Sequence, residues 1–134
     1  MKIPFFNKWL SKAHPGKAPG NPFSGWPPGS IAFVSKLCIG PNRKKVRFMR
    51  RDEPRSAQDS GWTLYSGDER TPVDPADFVA TALPAFIRDD LTLERPFEAR
   101  VGTEWTRRPP EDVWLRIMGD DVVDEHGSVV GQAK

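Results

Sequence analysis

A chain of 134 residues with a formal net charge of +2 and a single cysteine has the size of one domain. The near-neutral charge argues against a dedicated nucleic-acid binder, which needs a strong basic excess. One cysteine excludes an intramolecular disulfide, and no apolar run reaches the roughly 18 residues of a membrane-spanning helix. The start, MKIPFFNKWLSKAHPG, lacks the apolar stretch of a secretory signal, so a cytoplasmic location is expected.

The first 30 residues hold six of the 14 prolines, four of the 11 glycines and four lysines with no acid. Residues 1–29 therefore read as a flexible Pro/Gly-rich tail, because proline removes donors and glycine adds chain entropy. Within it, Phe5, Phe6, Trp9 and Leu10 are expected to form one amphipathic turn with Lys8 and Lys12 outside, suited first to docking on the domain itself and second to a lipid interface, with disorder as the third reading. The folded part is expected over 30–134.

IAFVSKLC is a strand with Cys38 at its end. GPNRK is a turn. KVRFMRR alternates, with Val46 and Phe48 on one face and Lys45, Arg47 and Met49 on the other, and is expected to complete a hairpin. WTLYS is a third strand, with Trp62 and Leu64 on one face and Thr63 and Tyr65 on the other. DPADFVATALPAFIRDDL is the clearest helical signal. Asp74 is its N-cap, Pro75 its first residue, Phe78, Val79, Ala82 and Leu83 its apolar stripe, and Pro84 its end or kink. A further turn follows over 85–91. A short strand is expected around 97–101, a strand at VWLRIM with Val113, Leu115 and Ile117 on one face, and a closing hairpin over VVDEHGSVVG with His126 and Gly127 at its tip. The order β-β-β-α-β-β gives an α+β class: a small, mainly antiparallel sheet with one principal helix in a single domain.

Chemistry-bearing constellations are sparse. Cys38, His14 and His126 do not have zinc-ligand spacing, and Asp120, Asp121, Asp124 and Glu125 lack the calcium-loop pattern. No phosphate-binding glycine loop occurs, so neither metal nor cofactor is expected. Cys38 reads as a small core hydrophobe rather than a nucleophile paired with His126. Charge is segregated. Residues 42–55 carry seven Lys/Arg against two acids, and 110–126 carry six acids against one arginine.

The densest segment is DSGWTLYSGDE, residues 59–69. Asp59, Asp68 and Glu69 flank the Trp62 strand at opposite ends, too far apart to act as acid and base on one bond. Two readings stand. In one, Asp59-Ser60-Gly61 and Ser66-Gly67-Asp68 are turns that enter and leave an ordinary core strand. In the other, the carboxylates are fixed contacts for a partner.

RDEP, a polar spacer, DSGW, three residues and then SGDE resemble the signature of the bacterial immunity protein 33 family, once known only as a domain of unknown function. The residues that carry it are Arg51, Glu53 and Pro54, then Asp59, Ser60, Gly61 and Trp62, then Ser66, Gly67, Asp68 and Glu69. AFVS and VRFMRR resemble its opening hairpin. The resemblance implies a small cytosolic, non-catalytic α+β protein of a polymorphic toxin system. It binds and neutralises a cognate toxin encoded nearby, with no small-molecule substrate. On this reading Asp59, Ser60, Trp62, Tyr65, Asp68 and Glu69 are the partner-binding residues, on a frame set by Gly61, Gly67 and Trp62. The alternative is a regulatory module that contacts RNA or protein through the basic hairpin at 43–51.

Overall fold

In the computed structural model, residues 25–109 and 112–132 are described. Their architecture is mostly sheet. Eight strands lie in the order β4-β1-β3-β2-β5-β6-β7-β8. They are β1 (Ile31–Ser35), β2 (Phe48–Arg51), β3 (Asp59–Tyr65), β4 (Phe78–Ala82), β5 (Glu104–Thr106), β6 (Leu115–Met118), β7 (Asp121–Val123) and β8 (Val129–Gln132). One α-helix, α1 (Leu83–Asp89), lies between β4 and β5. The β1–β3 pair is parallel and the other neighbours are antiparallel.

The expected β1–β2 hairpin does not form. β3 lies between these two strands. Every residue of β1 is buried, as befits an interior strand, and β1 finds β3 on one side and β4 on the other. The sequence IAFVSKLC also stops being a strand early: Lys36–Cys38 is a 3-10 turn, with Ser35 Oγ accepting from Leu37 N. Met49, expected opposite Val46, shares its core cluster, while Phe48 packs into the other cluster.

The long helix is a second correction. Asp74 does cap, its Oδ1 accepting from Ala76 N, and Pro75 does lead, but the helical turn ends at Asp77. Phe78–Ala82 is extended and pairs with β1 over five residue pairs. The β-branched Val79 and Thr81 tolerate this, and the ladder outweighs the local helical pattern. Pro84 then falls in the first turn of α1, where its missing N–H leaves no bond unmade, so it starts a helix rather than ending one. The strand expected around 97–101 is instead a 3-10 turn at Pro96–Glu98, and the extended segment comes later, as β5. The closing hairpin is as expected: β7 pairs with β8, and Gly127 supplies the positive φ of the turn.

Side chains from the two faces of the sheet feed two cores. Ala32, Val34, Met49, Trp62 and Leu64 pack under α1 with Leu93 and Phe97. Ile31, Phe33, Tyr65 and Phe78 form the second, joined by Phe48, Val73 and Trp26. Trp26 thus belongs to the packed body although it precedes residue 30. Phe5, Phe6, Trp9 and Leu10 lie outside the described residues. Among the described residues no helix is long and apolar enough to cross a membrane.

Candidate functional site

The 59–69 segment is built around an irregularity. Between the pairs Ile31↔Asp59 and Phe33↔Thr63, β3 carries extra residues, so the strand bulges at Ser60 and Gly61. Gly61 has φ +89°, and a Cβ there would lie 2.1 Å from the Asp52 carbonyl oxygen, so only glycine fits. Asp59 begins the strand rather than a turn ahead of it. Its Oδ1 accepts from Gly61 N at 2.8 Å and its Oδ2 from Arg55 N at 3.0 Å. Ser60 Oγ donates to Ile31 O and accepts from Trp62 N. Arg51 clasps the bulge from β2, donating to Ser60 O and Ala99 O, with its guanidinium 5.7 Å from the Trp62 ring.

Asp59, Ser60, Trp62 and Tyr65 are all buried. Thr63 and Tyr65 were expected on a second face, and that face is as closed as the first. Trp62 Nε1 donates to Phe97 O, and the two rings pack at 5.2 Å. Burial pushes the Tyr65 phenol up, so it stays protonated, and its oxygen has no hydrogen-bond partner among the described residues.

The far end closes differently. Glu69 folds back over the turn and accepts from Ser66 N (2.8 Å), Ser66 Oγ (2.6 Å) and Gly67 N (2.9 Å). Burial alone would raise its pKa. Donors from Ser66, Ser35 and Gly67 outweigh that and hold the carboxyl below its ordinary range. Asp68 points to solvent, its side chain 62% exposed, and pairs with Lys44 Nζ at 2.9 Å. The bond and charge of Lys44 lower its pKa. Of the six residues expected to touch a partner, only Asp68 offers a fully exposed charge, and Asp59 and Asp68 stand at opposite ends of β3.

The basic segment 43–51 is neither a hairpin nor free. Arg43 pairs with Asp89, Lys44 with Asp68, Lys45 and Arg47 with Asp112, and Arg50 with Asp52 and Glu104. Cys38 is buried. Its thiol is pushed up to about 12, chiefly by burial, which leaves it protonated and a poor nucleophile. Among the described residues no group of three His, Cys, Asp or Glu is placed to hold a metal.

A second feature escaped the sequence. On the helix-side face, beyond Trp105, a groove of about 650 Å³ runs between the turns at 92–96 and strands β6 and β7. Trp105, Trp114, Arg116, Met118 and Val123 line it. In VWLRIM the alternation singles out Val113, Leu115 and Ile117, whereas the groove is lined by Trp114, Arg116 and Met118 together with Val113 and Leu115. The signal available was two tryptophans nine residues apart, Trp105 in a stretch read as irregular and Trp114 in the strand VWLRIM.

The model of the Immunity protein Imm33 domain matches residues 33–118, from β1 to the end of β6 and more than half of the chain. No curated protein and no solved structure matches it. With the Arg51–Trp62 clasp and the Glu69-closed turn inside the matched span, the chain belongs to the Imm33 immunity protein domain family.

Proposed function

We propose that this protein binds a cognate toxin encoded nearby and neutralises it by occupying its surface, without catalysis and in the cytoplasm. The observation that carries this reading is the family match over residues 33–118. The chemistry of the chain is in keeping with it. The cysteine is buried and protonated, and the carboxylates of the 59–69 segment bond to their own backbone or to Lys44. The alternative, a regulatory module contacting RNA or protein through 43–51, is disfavoured for RNA by the near-neutral net charge of +2. Asp68 remains the most accessible of the sequence-derived contacts. Its pairing partner lies in solvent, where such pairs exchange readily for others. The test is titration of the purified full chain with the product of the adjacent gene, together with co-expression of the two in one cell. Saturable binding and rescue of growth support the reading. Neither binding nor rescue removes it.

A further inference from the structure

We propose that the groove bounded by the 92–96 turns and strands β6–β7 is the docking site for a basic protein surface carrying an apolar projection. This rests on the toxin-binding reading and assigns the surface that performs it.

Among the described residues the sheet outruns its cover, and this leaves the groove. The core on that face holds Leu93 and Phe97, and Trp105, Trp114 and the α1 residues Leu83, Phe86 and Ile87 pack against it. The register Trp105↔Arg116↔Val123↔Val129 carries the same face onward. Among the described residues, the large apolar side chains that are more than half exposed are Leu91, Val113, Met118, Val129 and Val130. Each lies in the groove lining, next to it in sequence, or on the strand paired with β7. An apolar area gathered at one end of a molecule marks a binding surface. It extends past the groove onto β8, wider than a small ligand would need.

The floor is held rigid before anything binds. Trp114 Nε1 donates to Thr92 Oγ1 at 3.2 Å, and the Arg107 guanidinium stacks 4.4 Å from its ring. Trp105 Nε1 donates to Thr103 Oγ1. Asp124 fixes the rim turn by accepting from His126 N and Ser128 N at 2.9 Å each. A preformed aromatic floor loses little entropy on binding, which is what an interface anchor needs.

Charge selects the occupant. Asp120, Asp121, Asp124 and Glu125 fall in a stretch, 117–132, that has no lysine or arginine, while Arg95 and Arg116 sit in the groove lining, Arg108 bonds to Gln132 O, and Asp112 is already paired with Lys45 and Arg47. Asp120 and Glu125 are exposed beside the apolar area. An acidic rim around an apolar centre complements a cationic surface. A second copy of this chain is the poorer fit, because Arg50 of its basic segment is buried against Asp52 and Glu104 and Arg47 is half-buried against Asp112, which leaves only Arg43, Lys44 and Lys45 able to exchange partners.

The experiment measures binding kinetics of the full chain with the adjacent gene's product, beside a thermal melt of each variant. Met118→Lys and, separately, Val129→Lys alter exposed side chains and are expected to melt like the wild type while weakening affinity at least 100-fold. The double change Asp120→Asn, Glu125→Gln is expected to slow association about tenfold at low salt and to flatten its salt dependence. Asp68→Asn is expected to bind as wild type. If all the groove variants bind normally, the groove assignment falls and the toxin reading stands. If the wild type binds nothing, the toxin reading itself fails and the assignment goes with it. Light scattering that finds a dimer of the free chain, dissociated by Met118→Lys, gives the groove to a second copy and overturns the proposal.

Discussion

Arg107 donates from Nη2 to Asp90 Oδ2 across 2.7 Å, with its own side chain wholly buried. The same guanidinium donates to Val46 O and Thr92 Oγ1. One cation therefore ties the end of β5, the loop before β2 and the turn at Leu91–Leu93, and lays a flat face against Trp114. Arg107→Met keeps the stem and removes every one of these bonds, leaving Val46 O without its side-chain donor. The expected cost is about 3 kcal/mol, a large share of the roughly 5–15 kcal/mol holding a small domain. Urea unfolding measures it. A change below about 1 kcal/mol would mean that Arg107 fills space and little more.

Acid should loosen the same region. Burial pushes the Asp90 carboxyl up, but bonds from Thr92 and Arg107 more than offset this and hold it below its ordinary value. Glu69 is depressed likewise. A carboxyl with a lower pKa folded than unfolded stabilises the fold fully above its unfolded pKa, and that stabilisation drains away as pH falls through the folded value. The melting temperature is therefore expected to stay level in this respect from about pH 5 upward and to drop below about pH 4. In Asp90→Asn the acid drop should be shallower than in wild type. An equally steep drop would place the acid sensitivity elsewhere.

Gly61 and Gly67 both have positive φ, yet they should respond differently to alanine. At Gly67 a Cβ meets open space, so only the left-handed backbone is strained, at about 1–2 kcal/mol. At Gly61 the Cβ would also strike the Asp52 carbonyl, a backbone atom within the ladder, since Asp52 N donates to Gly61 O. Gly61→Ala is expected to cost more than about 3 kcal/mol and to yield little folded protein. Equal melting temperatures for the two variants would show that the bulge relaxes.

What the sequence conveyed, and what it hid, divides by the range of the interaction. The capping of Ala76 N by the Asp74 side chain, Pro75 at a helical first position and the His126-Gly127 turn are local, and each was legible. The burial of Trp62 was also legible from its size and its place in an alternating run. The β4 strand was not. Phe78, Val79, Ala82 and Leu83 fit a helical stripe, and only the five-residue ladder with β1, more than forty positions earlier, makes the first three a strand while Leu83 opens α1. The β1–β2 hairpin failed for the same reason: β3 enters between two runs that are sequence neighbours. Within the candidate site, proximity in sequence concealed opposite environments. Asp59 and Asp68 look alike as carboxylates beside glycine, yet one is sealed in a bulge and the other faces water. The groove was invisible because it is defined by where the described residues stop covering β6–β8, which no local pattern encodes.

Trp62→Ala should leave the first core without its largest member. The ring is fully buried, packs on Phe97 and bonds to its carbonyl. Loss of the transfer energy plus the cavity is expected to cost roughly 3–5 kcal/mol. Circular dichroism through a thermal melt gives the answer. A variant that melts normally would contradict the burial.

Asp68 and Glu69 are adjacent, and the sequence presents them as a pair, but neutralising each should give different results. Glu69 closes the turn after β3. Its carboxylate accepts from two backbone amides and a hydroxyl, one oxygen taking both Ser66 groups. Glu69→Gln replaces one accepting oxygen with an NH2 donor, which faces another donor whichever way the amide is turned. The expected loss is about 1–2 kcal/mol, with binding to the adjacent gene's product unchanged. Asp68 only meets Lys44 in solvent, so Asp68→Asn should leave the melting temperature as it is. The pair of variants discriminates cleanly. A stable Asp68→Asn that binds at least tenfold more weakly would make Asp68 a contact after all and extend the interface to this end of β3. A Glu69→Gln variant with an unaltered melting temperature would show that Ser66 and Gly67 hold the turn without it.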